Sequence, residues 1–455
     1  MQLKDLKNKK IGIIGFGIEG RAVAQFLNSN AISFDIFDRD ASLDFEEFPE
    51  SKKFLGSSYL QNLEGYDVLF RSPGVKFFPE ILAAQKNGAV LTSQIKYFFD
   101  NCPGKIIGVT GTKGKGTTAT LLYKMLSAAG FRTFIGGNLG TEILNLLGQL
   151  KNDDFVVLEL SSFQLADLQK SPHLAIVLMV TSEHQDYHND VEEYIQAKTA
   201  ITNFQGPEDL ALINIDFQGS RKIGELGQAK KYYIHTTGDA AVDIKQGIVA
   251  DKTTGKIEFV EHGQYSEFLK ISELLLPGYH NVQNIAAASL AAKLLGVDLE
   301  LIKKVARDFS GYEHRLEFVT ERAGIKFYND SSGASIEACL AAVDAFTQNE
   351  ILILGGFDKK GDYADLCQKL SERKNIKAVV VIGQIAETLV KNLKNSNFSG
   401  QILSGAADLS EAFEQIGSVA EAGDIVLLAP ATSSFDWFKN YKDRGDQFKK
   451  LAMEF

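Results

Sequence analysis

At 455 residues, 45% hydrophobic and 23% charged, the chain has room for about three domains at roughly 150 residues each, and its composition excludes long disordered or low-complexity segments. Its 48 basic against 58 acidic residues give a formal charge of −10, which opposes general binding to nucleic acid or an anionic membrane but leaves room for a locally positive site. Three widely spaced cysteines, Cys102, Cys339 and Cys367, fit a reducing compartment, and no apolar run approaches the ~18 residues that span a bilayer, so a cytoplasmic protein without membrane insertion is expected.

The first hundred residues alternate short β-rich runs with helical patterns. "KIGIIGFG" reads as a strand rather than a signal peptide, "EGRAVAQFLNSN" as a helix, "SFDIFDRD" as a second strand and "YDVLFRSPGV" as a later one. Such alternation predicts parallel strands with crossover helices. Between the first strand and helix lies "GFGIEG", whose Gly15, Gly17 and Gly20 permit a tight turn and bring a phosphate close to a helix N-terminus. Read alone, the turn is equally a structural one. Asp38, at the end of the second strand, stands where a dinucleotide-binding domain places its ribose acid, which keeps a nucleotide-dependent oxidoreductase open at this point.

After "YFFDNCPGK" the pattern restarts at "KIIGVTG", which puts a boundary near residue 99. That strand runs into "GVTGTKGKGTTAT", Gly108 to Thr120, and then into a helix, the context that identifies a phosphate-binding loop. The loop amides and Lys115 are placed to hold the terminal phosphates. In the usual pattern a Ser or Thr follows the lysine directly; here Gly116 intervenes, so Thr117 is the expected magnesium hydroxyl, with Thr118 second. The buried-strand candidates "FVVLELSS", "LAIVLMVTS" and "DLALINID" come next, and "HNVQNIAAASLAAKLLGV" is a helix closing the middle region. Past "DFSGYEHRLEFV", three apolar strands, "EILILGGFD", "AVVVIGQ" and "DIVLLAPA", each lead into a loop and helix. The simplest organisation is three consecutive α/β domains, 1–99, 100–311 and 312–455, with Gly311 at a hinge. Glu159 ends an apolar strand, where a buried carboxylate calls for a metal or cation partner. Lys198, taken by itself, is one of many helix-surface lysines.

The loop, "GGNLG" at Gly136 to Gly140, "LELSSFQL" at Leu158 to Leu165 and "TSEHQDYHNDVEEYIQAKTAI" at Thr181 to Ile201 together resemble the Mur ligases of peptidoglycan synthesis. The similarity continues through "PGYHNVQNIAAA", "HRLEF", "NDSSGAS", "LGGFDKKGDY" and "PATSSFDWFKNYKDRG", and "ELSSFQL" is most like the branch that adds D-glutamate to UDP-N-acetylmuramoyl-L-alanine. The resemblance implies a Rossmann-like N-terminal domain that binds the UDP-sugar, a central P-loop ATPase-type domain and a Rossmann-like C-terminal domain for the amino acid. It implies a monomer that uses ATP and two Mg2+ ions and passes through an acyl phosphate. Such chemistry needs positioning and charge neutralisation more than a protein nucleophile.

Carried over residue by residue, the resemblance gives Lys115, Glu159, His184 and a carbamylated Lys198 the catalytic and metal roles, with Thr117 on magnesium. Gly111, Thr112, Lys113, Gly114, Lys115, Gly116, Thr117, Thr118, Asn281, Asn284, Arg315 and Asp330 would bind ATP, although Asn281 also reads as a helix N-cap. Gly15, Phe16, Gly17, Asp38, Ser72, Pro73, Gly74, Asn138 and Ser161 would bind the UDP-substrate, and Lys359, Ser434 and Tyr441 the amino acid. The departure lies in "NDSSGAS", where the family usually has Asn-Asp-Ser-Lys-Ala-Thr-Asn: Ser332 replaces the lysine and Ala334 the threonine. Losing a cation and a hydroxyl weakens carboxylate binding, since each charge-assisted bond contributes roughly 1.5–3 kcal/mol. Tyr441 stands where phenylalanine is usual, and Glu183 and Gln185 flank His184 in place of an aspartate and an apolar residue. A related ligase using another amino acid such as L-glutamate, or a binding protein without ligation, are the alternatives. The Lys-Gly-Thr order also resembles folylpolyglutamate synthases, but those lack a UDP-binding domain.

Overall fold

The computed structural model describes residues 1–43, 45–138, 143–181, 190–237, 244–359 and 361–455. Its strands form three sheets that run through the chain in order. The first contains β1 (Ile11–Ile14), β2 (Asp35–Asp38), β3 (Lys53–Leu55), β4 (Val68–Arg71) and β5 (Val90–Thr92), all parallel in the order β3-β2-β1-β4-β5. β1 and β4 are buried along their whole length, which is why "IGII" and "VLFR" carry no polar alternation. The strand order reverses between them, so the crevice at their carboxyl ends lies beside Gly15 and Ser72.

The second sheet holds β6 (Lys105–Thr110), β7 (Thr133–Gly137), β8 (Phe155–Glu159), β9 (Leu174–Val177), β10 (Leu210–Asn214), β11 (Lys230–His235), β12 (Gln246–Asp251), β13 (Lys256–Glu261) and β14 (Gln264–Lys270), ordered β14-β13-β12-β11-β10-β9-β6-β8-β7. The chain leaves β6 for the far edge at β7, returns to β8, and then crosses to β9 on the other side of β6. The reversal therefore falls at the end of β6, under the glycine-rich loop that follows it. The last three strands form an antiparallel meander absent from the expected parallel pattern. Its signal is a two-residue turn: His262 and Gly263 both take positive φ, 51° and 77°, the geometry of a tight hairpin.

The third sheet holds β15 (Glu317–Arg322), β16 (Ile325–Asn329), β17 (Glu350–Gly355), β18 (Ile376–Ile382), β19 (Gln401–Leu403) and β20 (Ile425–Leu428), ordered β15-β16-β20-β17-β18-β19. All but β15 run parallel. β20 is inserted last, between β16 and β17, so the loops after these three strands converge at one edge.

Six helices carry or flank the polar loops: α1 (Ile18–Ser29), α2 (Lys115–Ala128), α3 (Ser162–Leu165), α4 (Val191–Lys198), α5 (Tyr279–Leu294) and α6 (Tyr441–Glu454). The helix expected through Val297 stops sooner because Gly296 adopts φ 87°, a left-handed stop. The chain forms two compact units, Met1–Ile271 with Gln283–Val305, and Ser272–Val282 with Ala306–Phe455. Within the first, one hydrophobic cluster runs from Ile11 and Val68 through Tyr97 and Phe98 to Ile106, Val156 and Tyr194, so the core continues past residue 99. In the second, two clusters line the opposite faces of the third sheet. Cys102, Cys339 and Cys367 are all thiols, and no helix among the described residues is long and apolar enough to cross a membrane.

Candidate functional site

The end of β6 gathers a group of polar side chains in the first unit. Thr110 closes the strand, Gly111 comes next at φ 158°, and Gly114 caps α2 in the left-handed region at φ 86°. Thr112 is pinned from three sides: its amide donates to Met179 O at 2.6 Å, its hydroxyl reaches Thr181 O at 3.3 Å, and it lies 3.2 Å from the Tyr194 hydroxyl. Lys113 is exposed, and Gly116 and Thr117 are half-buried in the first turn of α2. Lys115 opens the helix, and its ammonium lies inside the turn, 3.0 Å from Gly111 O and 3.1 Å from Thr112 O. A cation held among loop carbonyls at a helix N-terminus suits the terminal phosphates of a nucleotide.

Thr118 is buried, and its hydroxyl donates to Asn284 Oδ1 at 3.4 Å. That side chain is already spent on packing, whereas Thr117, one position earlier, is half-buried. Asn284 in turn braces the loop from below, since a Cβ on Gly114 would stand 2.1 Å from Asn284 Oδ1. A Gly114→Ala protein combines this clash with a positive φ that costs of the order of 1–3 kcal/mol, so its affinity for ATP or ADP, read by calorimetry, is expected to fall by at least ~10-fold.

Glu159 ends β8 beside Val109, buried at 7% exposure, and its Oε1 accepts from Asn138 Nδ2 at 3.1 Å. Two expected substrate and metal residues are thus one hydrogen-bonded pair. Ser161 N-caps α3 and closes a reciprocal box with Gln164: Gln164 N donates to Ser161 Oγ at 3.2 Å and Ser161 N to Gln164 Oε1 at 2.9 Å. Lys198 corrects the surface reading. It is 1% exposed, its ammonium donates to Thr110 Oγ1 at 3.2 Å and Gly111 O at 3.4 Å, and it lies 4.7 Å from the centre of the Tyr194 ring. The cause is that the C-terminal residue of α4 points back over the end of β6, and a long apolar stem carries its head to the loop. Thr110 links these groups, because its hydroxyl donates to Leu160 O at 2.8 Å. His184, Glu183 and Gln185 lie outside the described residues.

The glycine turn of the first sheet is braced internally. Phe16 N and Asp40 N both donate to the Asp38 carboxylate, at 2.5 and 2.8 Å, and Ser72 Oγ donates to Gly15 O at 2.6 Å. The Phe16 ring points into the core against Phe45 and Phe48, so only its backbone faces the turn. Gly17 N-caps α1, and a Cβ on Gly20 would stand 2.0 Å from Gly15 O, which accounts for glycine there. Pro73 accepts from the Arg71 guanidinium at 3.2 Å, and Gly74 has open space around its Cα.

In the second unit, Asn281 does not N-cap. It is the third residue of α5, and its carboxamide donates to Pro277 O at 2.6 Å, the reverse of an accepting cap. Arg315 is exposed and lies near both His280 and the buried Asp330. Burial pushes the Asp330 carboxyl up to about 7, against the pull of the Leu316 amide that donates to it at 2.9 Å and of the Arg315 and Arg444 charges.

The loops after β16, β17 and β20 bring the remaining residues together. Lys359, though exposed, places its ammonium 3.1 Å from Ala334 O, on the loop where Ser332 and Ala334 depart from the family string. Tyr441 opens α6, packs edge-on against His314 at 5.8 Å, and accepts from Ser331 Oγ through its carbonyl at 2.8 Å. Ser434 is 1% exposed in the loop after β20. Sequence reasoning missed Arg444, which is fully buried: Nε donates to Ser331 Oγ and Nη2 to Ser331 O, both at 2.9 Å, and Nη2 also to Thr432 O at 3.2 Å. Set in the polar run "NYKDRGDQF", it carries no pattern that separates it from a solvated surface arginine.

Residues 109–292 match the Mur ligase middle domain, and residues 314–432 the Mur ligase glutamate ligase domain. A UDP-N-acetylmuramoylalanine--D-glutamate ligase of Acetivibrio thermocellus is 38% identical over 99% of this chain and 97% of that one. One of Clostridium acetobutylicum is 36% identical over the same shares. Among solved structures, the UDP-N-acetylmuramate-alanine ligase MurC of Thermotoga maritima superposes with a TM-score of 0.55 at 17% identity, covering 98% of this chain and all of that one. FolC of E. coli in complex with ADP superposes at 0.53 and 16% identity, over 79% and 93%. At such identities the structures speak for the fold, which is the α/β architecture expected from the sequence.

Proposed function

This chain belongs to the Mur ligase family, and from that premise we propose that it joins D-glutamate to UDP-N-acetylmuramoyl-L-alanine in peptidoglycan precursor synthesis. The substrate carboxylate attacks the γ-phosphorus of ATP, releasing ADP and leaving an acyl phosphate. The amino nitrogen of the amino acid then attacks the acyl carbon, phosphate departs, and the nitrogen loses its proton to give the amide. The observation that carries this reading is the convergence of Lys115, Glu159 and Lys198 at the end of β6, in a chain alike over nearly its full length to ligases of that name.

The roles rest on chemistry. Lys115 and the amides of Gly111 to Thr118 neutralise and orient the β and γ phosphates. Hard cations take oxygen donors, and the buried Glu159 carboxylate, the Thr117 hydroxyl, a carbamylated Lys198 and His184 would hold two magnesium ions, which supply charge stabilisation on the transferring phosphoryl group. Carbamylation, in which the neutral Lys198 amine attacks carbon dioxide and then loses a proton, would turn a side chain that already reaches Thr110 and Gly111 into an oxygen donor at the loop. Asn281, Asn284, Arg315 and Asp330 complete the ATP set. Gly15, Phe16 (through its backbone), Gly17, Asp38, Ser72, Pro73, Gly74, Asn138 and Ser161 serve the UDP-substrate. Lys359, Ser434 and Tyr441 serve the amino acid, and the Lys359 ammonium on Ala334 O supports its standing in for the cation missing at Ser332. Within this reading the functional domains are 1–99, 100–311 and 312–455, and the protein is a cytoplasmic monomer.

Phosphate release from ATP and magnesium with UDP-N-acetylmuramoyl-L-alanine, across D-glutamate, L-glutamate and other amino acids with product masses, tests it. Turnover with D-glutamate is expected. Turnover only with another amino acid would make Ser332 and Ala334 a specificity change, and silence across the panel would overturn the ligase reading.

A further inference from the structure

Behind the glycine turn lies a buried cluster that none of the assigned roles uses. Glu19, in the first turn of α1, accepts from Gln164 Nε2 at 2.7 Å through Oε1, while its Oε2 is buried with no partner among the described residues. Gln164 is 1% exposed, and its other carboxamide atom accepts from Ser161 N. Its two ends are therefore committed to α1 on one side and to the cap of α3 on the other. Beside them Arg71 ion-pairs with Asp167 at 3.1 Å and donates through Nη1 to the carbonyls of Ser72, Pro73 and Val75, the loop expected to hold the UDP end. Arg71 Nε and Asp167 Oδ1 are also buried without partners among the described residues.

A continuous path results. Gly20 admits no side chain, since a Cβ there would stand 2.0 Å from Gly15 O, so α1 begins directly against the turn; Glu19 precedes it, Gln164 donates to Glu19, and the Gln164 carboxamide accepts from Ser161, two residues beyond Glu159. Resting on the ligase reading, we propose that Glu19 is a positioning residue that ties the UDP-binding turn to the Ser161–Gln164 segment, and that ionisation of its carboxyl weakens binding of the anionic UDP-substrate. Burial pushes this carboxyl up to about 7, opposed by the Gln164 bond and the Arg71 charge and reinforced by Asp167; Arg71 and Asp167 are the charged groups that face it. Below pH 7 it is neutral, and its free oxygen is a hydroxyl able to donate; above pH 7 it is a buried anion close to a diphosphate site.

The test compares the full-length protein with Glu19→Gln and Glu19→Ala, measuring kcat and both KM values from pH 6 to 9. Wild type is expected to show a KM for the UDP-substrate that rises several-fold through pH 7. Glu19→Gln keeps an oxygen for Gln164 and does not titrate, so its KM should stay within ~3-fold of the acid wild-type value and be flat with pH. Glu19→Ala leaves a buried donor unmet and should raise that KM by ~10-fold, with kcat and the KM for ATP within ~3-fold of wild type. Equal losses in kcat and both KM values would mean a merely structural role and overturn the proposal, as would a pH profile shared by wild type and Glu19→Gln. No wild-type turnover at all would overturn the functional reading and this proposal with it.

Discussion

Replacing Lys115 with alanine is expected to lower ATP-dependent phosphate release by at least ~10³-fold, the range expected when a cation stabilising a transferring phosphoryl group is removed. The ammonium sits among the Gly111 and Thr112 carbonyls at the head of α2, whereas Lys113 of the same loop is exposed. The substitution leaves the fold intact, because Lys115 is only half-buried and alanine is the better helix former. Its melting temperature should stay within ~3 °C of wild type while turnover disappears. Retention of activity within tenfold would show that the loop does not hold the reacting phosphates.

Arg444→Met should produce the largest loss of stability. Three bonds from a fully buried guanidinium tie the loop after β16 to the loop after β20, and charge-assisted bonds are each worth roughly 1.5–3 kcal/mol. Part of that is offset by relieving a desolvation severe enough to lower the guanidinium pKa to about 10. A net loss of about 2–4 kcal/mol results, seen as a fall in melting temperature of roughly 4–16 °C. Arg444→Lys should not restore it, since a point ammonium cannot span Ser331 and Thr432 together. In the fraction that folds, the KM for the amino acid should rise more than that for ATP, because Ser331 leads directly into Ser332 and Ala334. A melting temperature within ~2 °C of wild type would show that the guanidinium does not hold these loops.

Much of the framework is legible because it is local. Continuous apolar runs such as "IGII", "FVVLE" and "EILILG" announce strands buried on both faces, and glycine turns announce the loops that end them. The meander from Gln246 to Lys270 is harder to read, since its short alternating strands look like those of any α/β region until the His262–Gly263 turn is recognised.

The residues of the site divide along the same line. Lys115 and its loop are a contiguous motif, in which strand, turn and helix N-terminus together point to a phosphate ligand, so the amino-acid order alone was enough to propose that site and to determine the α/β class around it. Lys198, Glu19 and Arg444 carry no such signal. Each is a charged helix residue whose neighbours in sequence do not mark it off from a solvated one until the chain is folded. Only in the folded chain does Lys198 turn inward to Thr110, Glu19 meet Gln164 across 145 positions, and Arg444 reach Ser331 across 113. Burial of a charge is a property of what packs against it, and those partners come from elements remote in sequence whose approach is set by the order of strands in each sheet.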